Sequence, residues 1–202
     1  MVTKDTLRAH FSSKDPVLFS YFDQVIDDVV IEKSTTPFID LIESIISQQL
    51  SEKAASTISD RFHALFKTKK ISATQILSLK DETLRGVGIS WSKVSYIKSI
   101  ATAVQTKALN FKTLETLHPD DIVKELTKIK GVGKWTAEMF LMFSLGHEDV
   151  FSYGDLGLRR GIMKVYGYKK DPTVNQMKKL EKQWMPYRTY ASRMLWRIGD
   201  LK

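Results

Sequence analysis

The sequence predicts an all-α fold, and three observations carry the prediction. Apolar residues recur at helical spacing along most of the 202-residue chain. Helix-starting residues (Ser, Thr, Asp, Pro) stand before most of these stretches. No segment alternates apolar and polar residues between hairpin turns, as a half-buried strand would. Roughly ten short helices follow, and the length allows one large domain or two small lobes.

The elements run as follows. Pro16–Val30 puts Val17, Phe19, Phe22, Val25, Ile26 and Val29 on one stripe, with Asp23, Asp27 and Asp28 opposite. Pro37 opens a second helix carrying Ile39, Ile42, Ile45 and Ile46. Ser51, followed by Glu52, caps a third that runs through Ala54, Ala55, Ile58, Phe62 and Phe66. Ser72 begins a short helix ending near Leu79, and Trp91–Val104 buries Val94, Ile97, Ile100 and Ala101. Pro119-Asp120-Asp121 starts a helix through Leu126. Four more are expected at Lys134–Ser144, Asp155–Val165, Thr173–Lys182 and Tyr187–Ile198.

Composition excludes several chemistries. Without cysteine there is no disulfide, thiolate zinc site, iron–sulfur cluster or cysteine nucleophile. The four histidines (His10, His63, His118, His147) lie far apart, with no metal-ligand spacing. Met1–His10 lacks the apolar core of a signal peptide, and no apolar run approaches the roughly 20 residues of a membrane span. These readings predict a soluble intracellular protein with no membrane partner. The net charge of +8 is unevenly placed: residues 1–60 hold 5 Lys+Arg against 10 Asp+Glu, and the remainder hold 26 against 13. Such asymmetry points to a polyanion-facing surface, although scattered solvated lysines give the same count.

Two identical tripeptides, Gly86-Val87-Gly88 and Gly131-Val132-Gly133, each follow a leucine-bearing helix end and precede a helix with a tryptophan near its start. The first reads as an ordinary helix–helix turn, with Ser90, Ser92 and Lys93 as possible phosphate donors. The second sits in Leu126-Thr-Lys-Ile-Lys-Gly131-Val-Gly133-Lys134-Trp135-Thr136-Ala137. A tight turn there aims backbone N–H groups outward from a positive helix end, where a phosphate fits. Lys134 adds a charge and Thr136 a hydroxyl; the contact reads the backbone, not the bases.

GVGKWTA after an amphipathic helix resembles the hairpin of the helix-hairpin-helix DNA glycosylases. Asp149-Val-Phe-Ser-Tyr153-Gly-Asp155-Leu-Gly-Leu-Arg-Arg-Gly161 resembles the GPD region of that superfamily. Ile45-Ile-Ser-Gln48-Gln49-Leu50-Ser51 resembles the segment ILSQQLS of its AlkA-type 3-methyladenine DNA glycosylases. Trp184-Met-Pro-Tyr-Arg-Thr-Tyr-Ala191 and Trp196 resemble that group's closing helices. The matches run in order from about Pro37 to Gly199, without room for the N-terminal β-lobe of some relatives.

The resemblance implies one glycosylase domain over residues 1–202. One lobe would span about 37–110, and the other 111–202 plus the N-terminal segment. A cleft would be faced by Gln48 and Gln49 on one side and by Trp135 and Asp155 on the other. Asp155 falls where the family places its catalytic carboxylate; Asp after Gly at a helix start is also a good N-cap, and both roles can coexist. An anionic carboxylate beside the sugar can stabilise an oxocarbenium-like transition state and orient the attacking water. Trp135 stands where lyase-competent members carry a nucleophilic lysine, so the resemblance implies a monofunctional, water-using enzyme.

Trp135, Trp196 and Tyr153 align with the surroundings of the base pocket, where aromatic faces attract a cationic alkylated purine; Trp184 reads as core. Gln49 aligns with the residue that fills the gap left by the flipped nucleotide, with Gln48 and Leu50 beside it on the DNA. The carbonyls of Thr127, Ile129 and Gly131 are where relatives hold a monovalent cation, Na+ or K+, next to a phosphate. No other cofactor is implied. The expected partner is damaged double-stranded DNA, bound by a monomer in nucleoid or nucleus. The rival reading is a non-enzymatic hairpin module that binds or senses bent DNA; it needs the hairpin but no carboxylate at Asp155.

Overall fold

A computed structural model describes residues 2–29, 31–68 and 70–201. Residues 1–33 supply α1 (Lys4–Lys14), α2 (Pro16–Phe19), α3 (Phe22–Val25) and a 3-10 turn, Ile26–Asp28. Residues 34–145 supply α4 (Pro37–Ser47), α5 (Glu52–Ala64), α6 (Ala73–Ser78), α7 (Asp81–Gly86), α8 (Trp91–Gln105), α9 (Phe111–Leu114), α10 (Pro119–Thr127) and α11 (Lys134–Phe143). Residues 146–202 supply α12 (Leu156–Tyr166), α13 (Val174–Trp184) and α14 (Arg188–Asp200). Among the described residues there is no strand, and no helix is long and apolar enough to cross a membrane.

The starts expected at Pro37, Ser51, Ser72 and Pro119 are present, and Ser90, a possible phosphate donor by sequence, proves to be a cap instead. Pro37 and Pro119 sit in the first turns of α4 and α10, and Ser51, Ser72, Ser90 and Thr173 accept backbone N–H groups at the starts of α5, α6, α8 and α13. One expected element is broken: 16–30 forms α2, α3 and the 3-10 turn, and Val30 lies outside the described residues. Ser20 Oγ donates to the Val17 carbonyl at 2.8 Å, and Tyr21 N–H bonds back to Leu18, so the side chain competes with the backbone and ends α2. α1 buries only Leu7 and Phe11, too sparse a stripe to stand out; α7 and α9 are too short for periodicity to reveal.

The chain divides into two compact units, one of residues 34–145 and one of residues 1–33 with 146–202. This corrects the expected boundary near 110: segment 111–145, with the hairpin, joins the 34–110 helices. The reason is burial, because α10 and α11 pack on each other and α11 also packs on α4, covering Ile122, Leu126, Ala137 and Leu141. Trp135 therefore shares a unit with Gln48 and Gln49, while Asp155 belongs to the other.

In the unit formed by the two ends of the chain, α12 and α14 cross closely around a core of Leu7, Phe11, Phe22, Leu158, Met194 and Leu195. Asp15 pins the N-terminal segment to it. Only 2% exposed, its carboxylate accepts from Trp184 Nε1 (2.7 Å), from Leu18 N–H (3.0 Å) and from the Tyr166 hydroxyl. Burial, with the charge of Asp15, pushes the Tyr166 phenol far above its usual range, so it serves as a donor. Trp184 is thus a core residue, as its sequence context indicates. Asp15→Ala strands three buried donors, and a stability loss of about 3 kcal/mol, or roughly 8 °C in melting temperature, is expected by calorimetry.

Candidate functional site

The hairpin is built by two glycines with different tasks. Gly131 has φ +93, and a Cβ there would lie 2.1 Å from Cγ of Tyr96 on α8. Val132 N–H closes the turn on the Ile129 carbonyl at 3.0 Å, and buried Val132 anchors it. Gly133 is the N-cap of α11, with extended backbone and open space where a side chain would be, so the first N–H groups of α11 are capped by no side chain. Thr127, Ile129, Gly131 and Gly133 line an open concavity of about 560 Å³, with Gln48, Tyr96 and Thr136.

Backbone carbonyls are hard oxygen donors. Thr127, Ile129 and Gly131, the residues whose carbonyls the resemblance assigns to a monovalent cation, all line this concavity. Among the described residues no cluster of His, Asp and Glu offers a rival metal site.

Around the hairpin the side chains divide. Lys134 is exposed and lies 3.7 Å from Glu138 one turn on, free to swing toward an anion. Trp135 is 44% exposed. Thr136 is buried, and its hydroxyl accepts from Gln48 Nε2 at 3.1 Å. The expected phosphate-facing hydroxyl is therefore instead a tie between α11 and the Gln48 turn. That turn reverses the chain between α4 and α5: Gln49 takes φ +58, and both Gln49 and Leu50 are exposed. The first glycine pair proves structural, with Gly88 abutting Ile58 and Lys93 turned inward.

In the other unit, Asp155 is the N-cap of α12. Its Oδ1 accepts both Leu158 N–H (2.7 Å) and Trp196 Nε1–H (2.8 Å), and the residue is 8% exposed. Two donors converging on one oxygen fix the plane of the carboxylate. Trp196, half-buried, thus meets Asp155 through its indole edge. Gly157 makes this approach possible: a Cβ there would lie 2.8 Å from Trp196 Cδ1 and 3.1 Å from Asp155 Oδ1. Gly157→Ala favours the helix by up to about 1 kcal/mol yet crowds the pair. We expect near-native melting and at least about a tenfold loss of catalytic rate, measured together.

The loop that delivers Asp155 is templated by the start of α14. Arg188 grips the Asp149 carboxylate through Nε (2.6 Å) and Nη2 (3.1 Å), the Asp149 carbonyl through Nη2 (3.0 Å), and Glu181 through Nη1 (3.1 Å). Burial alone would lower its proton affinity, but the bonds to Asp149 and Glu181 outweigh that and raise it. Thr189 Oγ1 donates to the His147 carbonyl (2.7 Å) and accepts Val150 N–H (3.0 Å). Tyr153 joins the same framework through its hydroxyl. Its hydroxyl bonds Glu181 and its ring meets Phe151 edge-on, while burial followed by that acidic partner pushes its phenol up. The sequence does not reveal the roles of Arg188, Asp15 and Lys93, because each acts through a partner distant in the chain.

Known proteins share this architecture. A DNA-3-methyladenine glycosylase 1 from Schizosaccharomyces pombe is 35% identical over 167 residues, covering 82% of this chain and 73% of that protein. A DNA-3-methyladenine glycosidase structure from Bacillus halodurans superposes with TM-score 0.85 at 35% identity, covering 98% of this chain and 90% of the other. The S. pombe 3-methyladenine DNA glycosylase in complex with abasic DNA gives TM-score 0.84 at 30% identity, covering 96% and 97%. Residues 42–186 match the HhH-GPD superfamily of base excision DNA repair proteins. With the hairpin, the capped Asp155 and these relatives in agreement, the chain belongs to the HhH-GPD superfamily.

Proposed function

We propose that this protein is a monofunctional DNA glycosylase that extrudes alkylated purines of the 3-methyladenine and 7-methylguanine type from duplex DNA. It hydrolyses their N-glycosidic bond and leaves an abasic site. The observation that carries the reading is Asp155, an almost fully buried carboxylate held by the α12 N–H of Leu158 and the indole of Trp196. Such an anion, kept in a fixed plane, can stabilise the positive charge that develops on the sugar and orient water for attack.

The other parts divide the work. Gly131, Gly133 and Lys134 hold a backbone phosphate at the start of α11, helped by a Na+ or K+ on the carbonyls of Thr127, Ile129 and Gly131 that adds positive charge facing the phosphate. Gln49, with Gln48 and Leu50 beside it, enters the duplex where the nucleotide has left. Trp135 and Trp196 offer aromatic surfaces to the extruded base, and a cationic base gains cation–π attraction. Because an N3- or N7-alkylated purine already leaves easily, one carboxylate suffices without a strong acid at the leaving group. The protein acts as a monomer on DNA, in nucleoid or nucleus.

The test of the water-using mechanism is chemical trapping. Borohydride added during turnover on methylated duplex should yield no covalent protein–DNA adduct, since Trp135 replaces the amine nucleophile. An adduct that disappears in Lys134→Ala would establish a lyase instead.

A further inference from the structure

The reversal between α4 and α5 turns on four residues, 48–51, and places a non-glycine residue, Gln49, at φ +58. Left-handed backbone at such a residue costs of order 1 kcal/mol and persists only where its surroundings hold it. The last carbonyls of α4 also lack helical partners by construction. One side chain addresses both problems. Lys93, in the first turn of α8, turns inward and donates from Nζ to the Ile46 carbonyl (2.8 Å) and to the Gln48 carbonyl (2.6 Å).

Its ammonium therefore sits at the negative end of α4 and spans the bend just before Gln49. Burial lowers the proton affinity of Lys93. The Ser47 carbonyl takes Leu50 N–H at 3.1 Å, and Gln48 Nε2 reaches Thr136 on the hairpin helix. The turn is thus held by Lys93 on its backbone and by α11 on its side chain, while Gln49 projects outward.

We propose that Lys93 is a positioning residue for base extrusion: by clasping the Ile46 and Gln48 carbonyls it sets the direction in which Gln49 enters the duplex. This rests on the glycosylase reading above. Lys93 itself touches neither base nor sugar, and its effect runs through Gln49. The sequence alone makes Lys93 a possible phosphate donor; both of its bonds instead go to the protein's own backbone.

The test uses the whole protein and two DNA probes: an undamaged duplex, and a duplex with a tetrahydrofuran abasic analogue opposite 2-aminopurine. Lys93→Met is expected to bind the undamaged duplex within about twofold of wild type, because the hairpin phosphate site is intact. It should lose most of the 2-aminopurine response, and single-turnover base release from methylated DNA should fall about tenfold with KM little changed. Lys93→Arg, which keeps the charge and two donors, should recover most of both signals. In a Gln49→Ala background Lys93→Met should cost nothing further, the mark of two residues acting as one unit.

Rates are compared at a temperature where circular dichroism shows every variant folded. A wild-type 2-aminopurine response in Lys93→Met, losses that multiply with Gln49→Ala, or an Arg variant no better than Met would each overturn the proposal. Failure of wild type to release base would defeat the glycosylase reading instead, and the abasic-duplex response would still report on Lys93.

Discussion

Asp155→Asn is expected to abolish most base release while leaving the protein folded. Asparagine is as good an N-cap as aspartate, and its carbonyl oxygen can accept the same two hydrogen bonds, from Leu158 N–H and Trp196 Nε1–H. What the substitution removes is the negative charge. If that charge stabilises an oxocarbenium-like transition state, single-turnover release should fall by at least about a hundredfold. The melting temperature should move by no more than about 3 °C, since neither cap nor packing is lost. The loss should appear in the chemical step and leave affinity for an abasic-analogue duplex near that of wild type. Asp155→Ala, by contrast, also loses the cap and the partner of Trp196, so it should cost about 1–2 kcal/mol of stability as well.

Gly131→Ala should produce the opposite signature, a protein damaged first in its fold. A methyl group there meets the Tyr96 ring at 2.1–2.6 Å and must adopt φ +93. Relieving either means moving α8 away from the hairpin or rebuilding the turn, at about 3 kcal/mol in sum. Binding to any duplex, damaged or not, should weaken with it if the N–H groups that the turn directs are the ones that meet a phosphate. Gly133→Ala is the informative partner. Its backbone is ordinary and its surroundings are empty, so stability should hold. If a phosphate approaches the backbone there, the added methyl should weaken binding about tenfold for all sequences alike. Thermal melts and salt titrations of the two variants separate fold from contact.

What could be read from the sequence was what is local. GVGKWTA and the cap at Asp155 each lie within about one turn of chain, and their residue types state their geometry directly. What could not be read depends on partners far along the chain. Thr136 looks like a phosphate ligand until Gln48, 88 residues earlier, is seen to occupy its hydroxyl. Tyr153 gives no sign in the local sequence of its tie to Glu181, 28 residues on. The unit boundary followed the same rule: the apolar face of α11 names its need for burial but not the helices that meet it, and α4 and α10 do so. Helices such as α7 and α9, with one buried residue each, carry no period to detect.

A single product analysis tests most directly whether the protein releases alkylated bases. Duplex DNA methylated by a simple alkylating agent is incubated with the wild-type protein; free bases are separated by chromatography, and the strands are run on a denaturing gel before and after alkali. Free alkylated purines should accumulate in step with alkali-labile sites, with every strand whole until alkali is added. Tight binding to the same DNA with no base released would contradict the account and leave a hairpin module that recognises DNA without cutting its glycosidic bonds.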